Sequence, residues 1–260
     1  MVKISCQTIV YGNHMIKDNM ESILTNISTI GYDGVEVGAR HFNMERPDDY
    51  IELLKKLNLE LTAVHVGGNF LDRNSVAAQL QNIENIILFS KKLGTKYLYL
   101  SGTRKDGKTA EEYQREAKVY EEMGKRCLDA GIAFCYHNHD WEMINDMQGM
   151  KILLEETSPQ LVKLVPDVGW LAIAGVNPVK FLEEHLERVE AVHFKDFKGP
   201  GSFTELGTGI VDFKSVYQYL IANKKDFWIT AEQDVSAIGP DESSKINYEY
   251  IASLSKEFNI

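Results

Sequence analysis

The stretch from Ala133 to Glu142 opens apolar and ends on His137, Asn138, His139, Asp140 and Glu142. Burying so many polar groups costs free energy unless each is paired. Their natural place is the carboxyl end of a parallel strand, where the chain leaves the sheet and faces a ligand. Three later strand-like runs end in the same way. Leu161 to Asp167 ends on a carboxylate, Val189 to Asp196 on His193, Lys195 and Asp196, and Phe227 to Asp234 on Glu232 and Asp234. Glu142, Asp167, His193 and Glu232, at four successive strand ends, make a donor set for one divalent ion, Mn²⁺, Mg²⁺, Co²⁺ or Zn²⁺. With positions left open on such an ion, vicinal oxygens of a sugar could chelate it. The ion would then act as a Lewis acid and stabilise an enediolate or alkoxide.

Each residue also has a plain structural reading. Asp167, ahead of Val168, Gly169 and Trp170, is placed to cap a helix. His193 alone would read as a satisfied core histidine, and Glu232 alone as half of a salt bridge. The four together at the ends of strands five to eight favour a site. His137 and His139 point the same way if the strand runs through both. Between them they could supply a ligand, a base or both, and His139 is expected to be the general base because imidazole titrates near neutral pH. Its structural alternative is support for the metal from outside the ligand set. Lys195, two residues past His193, could meet a substrate oxygen or phosphate. Glu36 and His65, at the ends of the second and third strands, are expected to line the pocket, and Trp141 and Trp170 to wall a sugar ring. Asp196 and Asp234 are expected to orient ligands, and Arg104 to contact an anion.

Elements that could place these groups alternate along the whole chain. Strand-like runs cover Lys3 to Ile9, Tyr32 to Val37, Glu60 to His65, Lys96 to Ser101, Ile132 to His137, Leu161 to Asp167, Val189 to Lys195 and Trp228 to Glu232. Helical spacing of apolar residues falls between them. It begins with Asn19 to Ile30 and a helix opened by Pro47, and continues with one capped by Ser75 and ending at Leu93. Thr109 with Glu112 predicts a capping box for a helix lasting to Ala130. Further helices are expected over Asp146 to Glu156, Pro178 to Leu186, Phe213 to Asn223 and Ser243 to Phe258, with a glycine-rich loop from Gly199 to Gly209. Gly31, Gly94 and Gly131 each stop a helix just before a strand. Eight strand–helix units in 260 residues match one (β/α)8 TIM barrel, an α/β domain spanning 1–260. In that fold all eight strand ends open on one face, so residues far apart in sequence converge.

A net charge of −10 argues against nucleic acid or an anionic membrane as the partner. Cys6, Cys127 and Cys135 are an odd number without metal spacing, as expected of buried thiols in a reducing compartment. The amino terminus lacks a signal-peptide layout and no apolar run reaches membrane length, so the expected location is the cytoplasm. The oligomeric state is left open, a homo-oligomer included.

The motifs around Tyr136 to Glu142, Pro166 to Trp170, Val192 to Asp196, Leu206 to Asp212 and Ala231 to Asp234 together resemble the sugar phosphate isomerase/epimerase family of the xylose-isomerase-like barrels. The resemblance covers the whole chain. It implies one divalent ion held by a Glu, an Asp, a His and a Glu from strands five to eight, and Asp167, His193 and Glu232 map onto the last three. Many members carry a glutamate where this chain has His137. A subgroup with an Asn-His-x-x-Glu stretch is more similar, and there Glu142 would be the ligand and His139 catalytic. The activity implied is a metal-dependent isomerase or epimerase that removes a proton next to a carbonyl of a sugar or keto-sugar, with Glu142, Glu232 and Lys195 assisting His139. The alternative is a lyase acting on keto-sugars or inosose. A metal phosphodiesterase of the abasic-site endonuclease type needs more metal ligands and a basic surface, and a non-catalytic carbohydrate-binding barrel needs neither four ligands nor a base.

Overall fold

Among the described residues, ten short strands form where β-branched, aromatic and small apolar residues cluster between the helices. They are β1 (Val2–Gln7), β2 (Gly34–Gly38), β3 (Glu60–Gly67), β4 (Tyr97–Ser101), β5 (Ala133–His137), β6 (Lys163–Leu164), β7 (Ala191–Phe194), β8 (Asp196–Gly199), β9 (Ser202–Thr204) and β10 (Phe227–Ala231). The computed structural model describes residues 1–258. All but β8 and β9 join one parallel sheet in the order β6-β5-β4-β3-β2-β1-β10-β7. Parallel bridges between Leu164 and Val189 and between Asp167 and His193 bring β6 to β7 and nearly close the barrel. The intervening helices lie outside the sheet, as the parallel connections require.

Gly31, Gly94 and Gly131 end their helices with φ of 117°, 78° and 78°, the left-handed region in which a side chain is disfavoured. Thr109 and Glu112 form the expected capping box. Other boundaries shift. The first helix begins at Asn13 and bends at Asn19. The sixth strand shrinks to two paired residues, because Pro166 has no N–H to give a ladder. The chain still runs along the barrel there: Val165 N–H donates to Tyr136 O at 2.9 Å and Pro166 O accepts from His193 N–H at 2.8 Å. Part of the expected glycine-rich loop folds into the antiparallel β8–β9 hairpin. A short helix spans Val168–Ile173 behind Asp167, in line with the capping role open to that residue, and the last helix covers Pro240–Glu257.

The barrel interior is a small buried cluster of Ala63, Tyr99, Cys135, Val165 and Ala191. Side chains two residues apart on a strand share a face. The next layer toward the carboxyl ends is therefore His65, Ser101, His137, Asp167 and His193, with Glu232 above Thr230 and Glu36 above Gly34. An apolar layer thus supports a polar one. Gly169 lies in the helix that follows Asp167, and a Cβ there would run into the backbone carbonyl of Lys195. Gly169→Ala is expected to lower stability by about 1–3 kcal/mol, measurable by urea denaturation, because the backbone cannot yield cheaply. All three cysteines are free and buried. Among the described residues no helix is long and apolar enough to cross a membrane.

Candidate metal centre

His137, Asp167, His193 and Glu232 each offer one ligand atom, and the four atoms lie within 4.8 Å of one another in a fully buried group. Glu232 Oε2 is 2.5 Å from His193 Nδ1 and 3.2 Å from His137 Nε2, which is in turn 3.6 Å from Asp167 Oδ2. Asp167 does two jobs with two oxygens. Its Oδ1 caps the following helix by accepting from Gly169 and Trp170 N–H at 2.9 and 3.0 Å, while Oδ2 is buried with no hydrogen-bond partner. The Asn138 amide ties the ends of β5 and β6 together, accepting from Asp167 N–H at 3.0 Å and donating to Asp167 O at 3.3 Å.

Glu142, the ligand expected from the fifth strand, lies apart from this group. The strand ends at His137, so the chain turns before reaching Glu142. Its carboxylate folds back to accept from His139 N–H at 2.7 Å and from the Tyr136 hydroxyl at 2.8 Å. His137, the last inward-facing residue of β5, is the fifth-strand member of the group instead. Burial pushes the Glu142 carboxyl up from 4.5 to about 7, against the hydrogen bonds from His139 and Tyr136. A carboxyl raised in this way favours the folded state at low pH and loses that contribution as pH rises through about 7. Glu142→Gln keeps an acceptor for His139 without the charge. Measured by urea denaturation with chelator present, it is expected to match the native protein near pH 5 and to exceed it near pH 8 by about 1–3 kcal/mol. A difference independent of pH would contradict the burial of this charge.

The centre balances its own charge. Burial disfavours the His193 imidazolium, but Glu36 and Glu232 outweigh it and hold the group up at about 10. Burial likewise opposes a charged Lys195, and Glu232, Asp167 and Asp234 outweigh it. Lys195 Nζ donates to Glu232 Oε1 at 2.8 Å and to Asp234 Oδ2 at 3.1 Å. Against burial, Lys195 and His137 hold Glu232 well below its ordinary value. Asp234 thus supports the centre through Lys195. Asp196 does not reach the cluster: its carboxylate accepts from the N–H groups of Phe197, Gly207, Gly209 and Val211 and shapes the loop instead.

His139 lies beside the cluster, its ring 5.0 Å from that of His137. It stacks on Trp141 at 3.9 Å and 11°, with Trp170 on another side at 5.6 Å. Burial, then the charges of His137 and Lys195, push its pKa well below 6.5, so the ring is neutral at neutral pH. The two tryptophans therefore hold His139. Arg104 lies over the Trp141 ring at 5.6 Å. A cavity of about 200 Å³ opens beside the cluster, lined by His65, Ser101, His139, Glu232, Arg40 and Gln7 among others. Ser101, Arg40 and Gln7 are not singled out by the sequence reading, although Ser101 and Gln7 end their strands and share that signal with the residues that were. A larger cavity of about 660 Å³ lies at the amino-terminal end, where Glu60 and Asp226 are paired with Lys3 and the terminal ammonium. It holds no acid–base cluster, and that end of a barrel serves stability.

Two imidazoles and two carboxylates converging on one point, with Asp167 Oδ2 buried without a hydrogen-bond partner, fit a divalent ion of the borderline N/O-binding kind.

Residues 24–254 match the family model described as the xylose isomerase-like TIM barrel. The chain is 28% identical over 268 residues to the inosose dehydratase of Lactiplantibacillus plantarum, covering 90% of this chain and 88% of that protein. It is 26% identical over 281 residues to the inosose dehydratase of Geobacillus kaustophilus, covering 94% and 89%. Among solved structures, the IolI protein with a bound zinc atom superposes with a TM-score of 0.81 at 17% identity, covering 99% of this chain and 100% of that one. The 3-keto-D-glucoside 4-epimerase of E. coli does so with a TM-score of 0.81 at 16% identity, covering 97% and 100%. At these identities the structural likeness carries the fold.

Proposed function

The chain belongs to the xylose isomerase-like TIM-barrel family, and on that premise we propose that it is a metal-dependent lyase that removes water from an inosose or a related keto-sugar. The observation that carries this reading is the donor set itself. His137 stands where a second glutamate would be needed for an isomerase working with two facing glutamate bases, and a neutral His139 stands beside it. The relatives, inosose dehydratases over nearly their full length, support dehydration over aldose–ketose isomerisation. The endonuclease reading needs more donors than the single cluster found among the described residues.

His137, Asp167, His193 and Glu232 would hold the divalent ion, which when bound supplies Lewis acidity to the ketone and its neighbouring oxygen. A ring nitrogen of His139 takes the carbon-bound proton next to the ketone. The carbon–oxygen bond at the next carbon breaks, and the departing hydroxyl takes the proton back from His139 and leaves as water. The electron pair from the broken C–H bond becomes the new double bond, so no redox partner is needed. Lys195 offers an ammonium to a substrate oxygen, and Trp141 and Trp170 keep the His139 ring in one orientation.

The test is to incubate chelator-treated and metal-reloaded protein with an inosose and with ketohexoses, following products by mass spectrometry. Loss of one water from the inosose, only in the reloaded sample, is the expected result. Rearrangement of a ketohexose without water loss would return the reading to an isomerase or epimerase.

A further inference from the structure

Glu36, fully buried in the middle of β2, touches two histidines at once. Its Oε1 lies 2.6 Å from His65 Nδ1, and its Oε2 lies 2.8 Å from His193 Nε2. Each histidine turns its other nitrogen to a separate task. His193 Nδ1 is 2.5 Å from Glu232 Oε2 inside the donor cluster. His65 Nε2 is 2.8 Å from Ser101 Oγ, and both residues line the cavity of about 200 Å³. The contacts Ser101–His65–Glu36–His193–Glu232 thus link residues of β4, β3, β2 and β7 and the residue that follows β10.

We infer that Glu36 is a positioning residue that sets both faces of the site through one carboxylate, holding His193 toward the ion and His65 toward the substrate. The inference rests on the ion site proposed above. An ionised carboxylate only accepts hydrogen bonds. Facing it, His65 carries its proton on Nδ1, which leaves Nε2 to accept from the Ser101 hydroxyl. The lone pairs of Ser101 are then free for a substrate hydroxyl. The contact with His193 lies off the hydrogen-bond line and orients that ring by charge. It still keeps Nε2 as the edge turned away from the cluster and Nδ1 as the ligand. A carboxylate behind a metal-binding histidine has this role in general. Here the same carboxylate also shapes the wall that meets the substrate, so ion affinity and substrate recognition are linked.

Glutamine has one acceptor oxygen and one donor NH2, so at position 36 it can serve one histidine and not both. The test uses the metal-free full-length protein. Calorimetric titration with Mn²⁺ or Co²⁺ is expected to show E36Q binding about 10–100-fold more weakly than the native protein. S101A and H65N, which leave the Glu36–His193 contact in place, are expected to stay within about twofold. In spectra of ¹⁵N-labelled histidine taken without metal, the His65 proton should sit on Nδ1 in the native protein and lose that preference in E36Q. E36D is the second variant: it keeps the charge but is one methylene short of both partners, so it too should lose ion affinity or shift His65. Unchanged ion affinity together with an unchanged His65 tautomer, in whichever variant folds, overturns the inference. A native protein that takes up no ion overturns the proposed centre instead, and the histidine spectra then decide the role of Glu36 by themselves.

Discussion

Replacing His139 with asparagine is expected to leave the fold and the bound ion in place and to lower turnover by about 10²–10⁴-fold, the usual cost of losing a general base. The ion can polarise a ketone but cannot take a proton from carbon. Of the groups near the cluster, His137, His193 and Glu232 are engaged with one another, and Lys195 is held as an ammonium by Glu232 and Asp234. His139 is a neutral imidazole whose Nδ1 has no hydrogen-bond partner, and its stacking on Trp141 fixes the ring. The measurement is exchange of the substrate's α-proton with solvent deuterium, followed by NMR in metal-loaded protein. Exchange at the native rate would remove His139 from the chemistry and return the base to a carboxylate. Loss of the ion would make His139 a ligand.

The second large effect is a contrast between two residues of one stretch. His137→Ala should weaken ion binding by at least about 100-fold, more than the loss of a supporting group outside the ligand set. Glu142→Gln should leave it nearly unchanged. His137 Nε2 faces both Glu232 and Asp167, whereas both Glu142 oxygens are spent on His139 N–H and the Tyr136 hydroxyl. Calorimetry on chelator-treated protein separates the two. The opposite ranking would restore Glu142 to the ligand set.

Much of the barrel could be read from the chain because its signals are local. Glycine after a helix, a capping box and apolar spacing each act within a few residues, and Gly31, Gly94, Gly131 and Thr109 behave as their neighbours dictate. Asp167, His193 and Glu232 were legible for a related reason: each sits two residues beyond a small or apolar inward-facing residue near a strand end. The place of Glu142 was not. Whether a strand continues past His137 depends on pairing with β6, and β6 is cut short at Pro166, which no pattern inside residues 133–142 reveals. The β8–β9 hairpin escaped for a similar reason. Asp196 collects N–H groups from as far as Val211, and glycine content alone reads as loop. Glu36 looked like a pocket-lining residue. Its contact with His193 joins strands distant in sequence and becomes visible only once the barrel closes.

Anomalous scattering from a crystal of the protein loaded with Mn²⁺ or Co²⁺ locates the ion directly. The predicted result is a single strong site bonded to His137, Asp167, His193 and Glu232, with Glu142 still bound to Tyr136 and His139. An ion bonded to Glu142 with His137 turned away, or no ion within the barrel's carboxyl end, would contradict it.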